Sequence, residues 1–357
     1  MINLFTNARF RALLVAGIIA VASVSVALSR GHQPSQNGAQ PDVGAAAGEQ
    51  RLPFPAPRDE RLRLFIVGDL MLGRAVETLM KKHGEDYPFA RVTEKLAGAD
   101  VVMGNLEGPI PDSHAQTPDG SLRFSFLPSA AALLARQNIG VVSVANNHAN
   151  DAGRKGFEQT RTRLDAEGVV AVGDPSMKET SCAAIPGVKL PIVVCAFSVF
   201  ANFDEASAME RVREARALYP SSYLILMPHW GNEYQSVASA GQVRMAHAFV
   251  DAGADLIAGS HPHVVQNIEL YRDRPIFYSL GNFIFDQYFS QETQQGLALD
   301  VTLSAGDVRI GLTPLVSRRS QPSEMAPDEA ERFRLLLAAR SPEAAAAVGA
   351  GTLHLKR

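Results

Sequence analysis

Six short apolar runs recur along the chain, and each ends in polar or turn-forming residues. Leu62 to Val67 runs into Gly68-Asp69, and Val101 to Met103 into Gly104-Asn105-Leu106-Glu107. Val141 to Ala145 leads to Asn146-Asn147-His148, and Tyr223 to Met227 to Pro228-His229-Trp230. Asp255 to Ala258 precedes Gly259-Ser260-His261-Pro262-His263, and Ile276 to Leu280 precedes Gly281-Asn282-Phe283. Apolar runs of this length, closed by turn residues, read as buried strands. Between them Ala75–His83, Pro88–Ala97, Ser129–Asn138, Gly156–Glu167, Ala206–Leu218 and Gly241–Ala252 carry apolar residues at helical spacing. Alternating strands and helices predict an α/β domain with mostly parallel strands. Ligands of such sheets bind beyond the carboxyl ends of the strands, so polar clusters distant in sequence converge on one rim.

The flanks differ from this body. Arg9 and Arg11 precede an uncharged, largely apolar run from Ala12 to Ser29 in a segment without acidic residues, and Arg30 closes it. This is the pattern of a secretory signal, of a length that also allows an uncleaved anchor, with the rest of the chain facing outward. Residues 31–58, rich in Gln, Gly, Pro, Ala and Ser, read as a flexible linker. The folded domain is expected over 59–320, with an antiparallel hairpin at Leu297–Val316 around Ser304-Ala305-Gly306-Asp307. Residues 321–357 read as a poorly anchored tail in which Asp328 to Ala339 can form a helix. Cys182 and Cys195 flank an expected hairpin, Ile185 to Pro191; they can pair in an oxidising compartment or stay as buried thiols. With 34 basic and 37 acidic residues there is no basic face for nucleic acid, and two cysteines exclude a thiolate metal module.

The strand-end residues Asp69, Asn105, Glu107, Asn147, His148, His229, His261 and His263 are the candidates for chemistry. Carboxylate, amide oxygen and imidazole suit one or two divalent ions of the Mn²⁺, Fe²⁺ or Zn²⁺ class. Two ions about 3.5–4 Å apart are the usual engine of phosphoester hydrolysis. Each residue also has a structural alternative. Asp69 can cap a helix, Asn105 and Asn147 can be turn residues, Glu107 a solvated charge and His229 a hydrogen-bonded core histidine. His261 and His263, two apart in a segment that Pro262 biases towards an extended backbone, are expected to point the same way. His32, His83, His114, His247 and His354 lack such context and read as surface or core histidines, though the loop at Asp112-Ser113-His114 can reach substrate.

Six motifs covering about residues 62 to 320 resemble the CapA family of capsule-biosynthesis proteins. They are Gly68-Asp69-Leu70-Met71-Leu72-Gly73-Arg74, Gly104-Asn105-Leu106-Glu107-Gly108-Pro109, the Ala145–Gly153 segment around Asn146-Asn147-His148, His229–Tyr234, Gly259–Gln266 and Tyr278–Gln287. That family is bacterial, acts in poly-γ-glutamate synthesis and attachment, and is similar in turn to calcineurin-like metallophosphoesterases. The resemblance implies a four-layer α/β sandwich of the metallophosphoesterase type with metals at the strand ends. It implies Asp69 as the first aspartate ligand, Asn147 as the amide ligand, His229, His261 and His263 as imidazole ligands, and His148 as the group that protonates the leaving group. Two positions depart from the superfamily: Met71 stands where it has a histidine, and Asn105 where it has an aspartate, leaving Glu107 as the nearest carboxylate.

Around this set, Arg74 is expected either to clamp a phosphate or carboxylate or to form a surface salt bridge. Asn105, Trp230, Glu233, Tyr234 and Asn282 are expected to meet substrate in the cleft, and the rest of Tyr278–Gln287 to wall it, by binding substrate or by hydrogen-bonding the ligands from behind. The function so implied is an exported metal-dependent hydrolase or transferase acting on an anionic capsule polymer. The alternatives are a polymer-binding subunit of a membrane synthase complex and a generic phosphoesterase. The partners implied are the polymer, the membrane through the N-terminal segment, and synthase subunits.

Overall fold

Strand β1 (Leu62–Leu70) places alternate side chains in different cores: Leu62, Leu64 and Ile66 enter one apolar cluster, Phe65 and Val67 another. Such alternation follows from the two-residue period of a strand buried on both faces. The computed structural model describes residues 61–177, 181–188, 190–200 and 203–357; the expected signal and linker segments lie outside them.

β1 is followed by the parallel strands β2 (Val101–Leu106), β3 (Ile139–Ser143) and β4 (Val170–Val172). The chain then builds a second sheet from β5 (Cys182–Ala184), β6 (Ile192–Ser198), β7 (Tyr223–His229), β8 (Leu256–Ala258), β9 (Ile268–Tyr271) and β10 (Arg274–Phe277). It returns to the first with β11 (Asn282–Ile284), β12 (Gln295–Leu303), β13 (Asp307–Arg318), β14 (Gln321–Glu324) and β15 (Thr352–Lys356). Among the described residues the first sheet runs β14-β13-β12-β1-β2-β3-β4, with β11 on β1 and β15 on β13; the second runs β5-β6-β7-β8-β10-β9.

The two sheets face each other through a core that joins Ile66, Met103 and Val141 to Val194, Ile225 and Ala258. Helices α1 (Arg74–His83), α2 (Thr93–Ala97), α3 (Ala130–Arg136) and α4 (Gly153–Ala166) cover the outer face of the first sheet with Val76, Leu96, Leu133 and Phe157. Helices α5 (Glu205–Leu218) and α6 (Ala240–Asp251) cover the second with Val212 and Phe249. The order is therefore helix, sheet, sheet, helix, the four-layer sandwich expected. Gly68 is needed where the rims meet: a Cβ there would lie 1.8 Å from the Gly281 carbonyl oxygen. The β12–β13 hairpin forms as expected, and Cys182 and Cys195 pair across β5 and β6 as a disulfide.

The C-terminal segment departs from expectation. Residues 321–357 are not a loose tail: β14 and β15 pair with β13, and α7 (Pro327–Ala339) and α8 (Ala345–Ala350) bury Phe333, Leu337 and Val348 against the inter-sheet core. The short, Ala-rich apolar pattern concealed this, because its burial depends on a hairpin far upstream. Among the described residues no helix is long and apolar enough to cross a membrane.

Candidate metal centre

The first sheet delivers acids and amides to the rim. Asp69, near the end of β1, Asn105, in β2, and Glu107, just beyond it, are buried. Asn105 Nδ2 donates to Asp69 Oδ1 at 2.8 Å and to Glu107 Oε2 at 3.3 Å, and its Oδ1 accepts from Asn146 Nδ2 at 3.1 Å. A neutral amide thus sits between two carboxylates and holds them together. This corrects the assignment of Asn105 to substrate: its side chain is spent inside the cluster. Met71 is fully buried, and its Sδ accepts from the Gly73 N–H at 3.1 Å.

The second sheet delivers imidazoles. His229 ends β7, with Nε2 2.7 Å from Asn147 Oδ1 and Nδ1 2.9 Å from Ser260 Oγ. His261 and His263 lie in the turn after β8, with φ of 95° and 59°. The extended backbone expected there is absent. Non-glycine residues in this region of φ cost of order 1–3 kcal/mol each, which surrounding structure must hold in place. The turn still brings the two rings within 5.9 Å of each other. His263 Nδ1 meets Asn282 Oδ1 at 3.0 Å, which directs Nε2 towards Glu107 Oε1 at 3.7 Å.

Two overlapping donor groups result. Asp69, Glu107 and His263 form one, and Glu233, His261 and His263 the other; the ligand atoms in each lie within 4.8 Å of one another. Glu107 Oε1 and His261 Nδ1 are buried without a hydrogen-bond partner among the described residues. A buried unsatisfied polar atom costs about 1–3 kcal/mol, more when charged, and a cation between these donors would satisfy both. The donor chemistry, carboxylate and imidazole without thiolate, fits a divalent metal.

The charges are arranged accordingly. Burial and the neighbouring Asp69 carboxylate raise the Glu107 pKa well above its ordinary value. Burial would lower His263, but the charge of Glu107 and the hydrogen bond and charge of Asp69 outweigh it and lift the pKa to about 9. Burial, and then the charge of His263, push His261 down to about 4, and burial beside His261 and His263 holds His229 well below its ordinary value. A proton held between His263 and its carboxylate neighbours therefore occupies the place of positive charge.

A cleft of about 320 Å³ opens onto this cluster, lined among others by Arg74, Phe124, His148, Glu233, Tyr234 and His263. His148 stacks on Phe124, and its Nδ1 lies 2.9 Å from Asp151 Oδ2. Nε2 is left towards the cluster, 4.0 Å from Glu107 Oε1. Asp151 also accepts from the Phe124 N–H at 2.6 Å. It stood inside the asparagine–histidine motif, three residues after His148, but a loop acid carries no sequence mark of its partner. Tyr234, half exposed at the rim, has its pKa raised to about 12 by burial and by Glu233.

Three further expectations need correction. Trp230 does not line the cleft: it is fully buried beneath the second sheet, and its Nε1 donates to the Tyr278 carbonyl at 2.8 Å. Asn282 is buried with its amide fully used, by His263, Gln287 and the Thr293 carbonyl, so it positions a ligand and does not meet substrate. Arg74 is neither a surface salt bridge nor an open clamp. It is buried, pairs with Asp286 through Nε and Nη2, donates from Nη1 to the Ser121 carbonyl at 2.8 Å, and takes a φ of 48° at the start of α1. His114 is turned from the cleft towards Glu77 and Ser125, at 3.1 and 2.9 Å.

The family model for the bacterial capsule synthesis protein PGA_cap matches residues 63–287. The capsule biosynthesis protein CapA of Bacillus anthracis is 29% identical over 303 residues, covering 78% of this chain and 74% of that protein. The PGA biosynthesis protein CapA of Bacillus subtilis (strain 168) is 29% identical over 296 residues, 78% of this chain and 77% of that one. A probable polyglutamine synthesis accessory protein of Mycobacterium tuberculosis is 24% identical over 277 residues, 61% and 73% of the two chains. The matched segment begins at β1 and ends just beyond β11, so it contains every donor of the rim, and the chain belongs to the bacterial capsule synthesis protein PGA_cap family.

Proposed function

We propose that the protein is an exported metal-dependent hydrolase or transferase of the CapA type. It serves the synthesis, release or anchoring of a γ-linked glutamate polymer or a similar anionic envelope polymer. The observation that carries this reading is the pair of buried, unpartnered donors, Glu107 Oε1 and His261 Nδ1, inside two overlapping ligand groups. The relatives named for capsule and poly-glutamate synthesis support the pathway. The Cys182–Cys195 disulfide supports export, since such bonds persist in oxidising compartments.

Asp69, Glu107 and His263 would hold one ion, and His261 with Glu233 a second, with Asn147 and His229 alongside. A bound divalent cation supplies charge that polarises a phosphoryl or acyl oxygen and acidifies a water. The protein's own residues do the rest. Asp151 accepts from His148 Nδ1–H and orients the ring, and the Phe124 ring holds it flat, so Nε2 faces the cleft, from where the imidazolium gives its Nε2 proton to the leaving oxygen and returns to the neutral Nδ1–H form. Arg74 and Asp286, locked together, form a rigid wall, and Tyr234 and Glu233 meet the substrate at the rim.

A general acid contributes about 10²–10⁴ in rate. With Mn²⁺ and a generic phosphodiester, His148→Ala is expected to lose that factor while keeping its metal and its melting temperature. Equal rates in the two proteins would remove the catalytic role. A second reading rests on Met71 and Asn105, which take an imidazole and a carboxylate away from the superfamily's ligand set. In that reading the cleft holds polymer for a membrane synthase without turnover. Elemental analysis separates them: two tightly held ions per chain favour catalysis, and none, with polymer still bound, favours the module.

A further inference from the structure

The opposite end of the second sheet carries a larger cavity, of about 670 Å³, well within the range of ligand sites. It opens at the starts of β7 and β8, lined by Ser222 before one strand and Asp255 before the other. β7 spans seven residues from Tyr223 to His229, so the two ends of this strand lie about 20 Å apart. The metal rim is at one end and this cavity at the other.

Four arginines line it, Arg216, Arg272, Arg274 and Arg357, against two aspartates, Asp251 and Asp255. A chain of formal net charge −3 thus concentrates positive charge in one concavity. Arg216 is structural. Its guanidinium is spent on the Gly253 and Ser222 carbonyls and on Asp255. The other three are lightly used. Arg272 Nη1 meets Asp251 Oδ1 at 3.0 Å, Arg274 Nη1 meets Asp255 Oδ1 at 3.4 Å, and Arg357 Nη2 donates to the Ser221 carbonyl at 2.7 Å. Each fork keeps donors with no bond among the described residues. Arg272 and Arg274 are presented by the tight β9–β10 turn, where Arg272 and Asp273 take φ of 51° and 60°. Two successive residues at positive φ fit a hairpin turn whose twist matches its strands, so the arginines are held on a rigid tip.

Tyr223, the first residue of β7, follows the lining residue Ser222 and turns into the inter-sheet core. Tyr223 is 1% exposed, and its hydroxyl has no hydrogen-bond partner among the described residues. The charged groups acting on it are Asp255, Arg274 and Arg357, all of which line the cavity. Three under-used guanidinium forks around one concavity are the donor set of an anion site. Guanidinium forks match carboxylates in paired hydrogen bonds, and several at once suit a ligand that bears several acids.

We propose that this cavity is a second binding site, for a carboxylate-bearing chain, separate from the metal rim. It deepens the proposed function, on which the choice of a γ-linked glutamate chain as the ligand rests: one segment of polymer is gripped at the arginines while another is presented elsewhere. Arg272, Arg274 and Arg357 take the carboxylates.

The test is calorimetric titration of the full chain with a short γ-linked glutamate oligomer, and separately with inorganic phosphate. Arg272→Ala/Arg274→Ala is expected to weaken oligomer binding at least about tenfold, since each lost charge-assisted bond is worth that much. Lys82→Ala, on the exposed face of α1 and outside both sites, is expected to leave the affinity unchanged. Unaltered binding in the arginine variant, or no oligomer binding by the wild type, would overturn the proposal. Phosphate bound as tightly as the oligomer would overturn the carboxylate-chain assignment. Binding abolished by His263→Ala alone would place the polymer in the metal cleft, ending this inference while leaving the proposed function standing.

Discussion

The two sheets contribute unlike chemistry to one rim. The first supplies carboxylates clamped by an amide, Asp69 and Glu107 around Asn105, and the second supplies imidazoles on a strained turn, His261 and His263. Neither half is a cation site alone. Two buried carboxylates side by side repel without a counter-charge, and the neutral His261 and His229 offer lone pairs but no negative charge. Packing the sheets face to face joins them, and His263 is the residue both donor groups share. The lesson is that the shared inter-sheet core is what assembles the site, and that His263 is its hinge-point in energy.

The largest expected effect breaks that junction. His263→Ala removes a ligand from both groups, so elemental analysis after gel filtration should find essentially no bound metal, whereas His261→Ala should retain one ion. Retention of equal metal by the two variants would show that the halves bind independently. Next in size is the second sheet's own edge. The Cys182–Cys195 bond closes a loop of sequence separation 13, and a loop near that length is worth roughly 3 kcal/mol. A Cys182→Ser/Cys195→Ser double variant should lose about that much stability in denaturant titration yet keep its metal affinity, because the bond sits at the β5 edge, away from the ligands. A smaller effect is expected at Asn282, which orients His263 through Nδ1. Residues that orient ligands are worth about 10–100-fold in metal affinity, and Asn282→Ala should fall in that range. An unchanged affinity would mean that Glu107 and Asp69 alone fix the ring.

Much of this rim was legible in the sequence because strand ends are: a short apolar run followed by polar residues says which side chains reach the edge of an α/β sheet. Asp69, Glu107, His148, His229 and His263 could be gathered that way. What a run of letters does not carry is direction. Trp230 follows His229 directly and faces the opposite way into the helix layer, and Asn282 lies in an apparent wall motif yet points behind the ligand. Partners across the fold were also silent. Arg74 finds Asp286 through a separation of 212 residues, and His148 finds an acid that any loop may contain. The C-terminal strands were hidden for a related reason: β15 has no pattern of its own strong enough to declare pairing with β13.

The smallest effect sharpens the contrast between the sheets through pH, in protein stripped of metal. His261 is held near 4 and His229 well below its ordinary value, so both are neutral in the fold while their unfolded counterparts titrate near 6.5. The unfolded chain then binds more protons as pH falls below about 6.5, and these two second-sheet groups cost stability on the acid side. His263 behaves oppositely. Raised to about 9 by Glu107 and Asp69, it keeps its proton in the fold where the unfolded chain has lost it. Its contribution is present in full below about 6.5 and is lost as pH climbs through 9, and the raised Glu107 adds to the loss in the same direction as it ionises. Metal-free protein should therefore melt highest near pH 6.5 and lower on both sides. Added Mn²⁺ should abolish the alkaline decline, because the cation replaces the protons that His263 and Glu107 give up, and it should do least at acid pH, where protons compete for the imidazoles. A melting temperature that rises steadily from pH 6.5 to 9 without metal would mean that the carboxylates of the first sheet do not act on His263 as their distances imply.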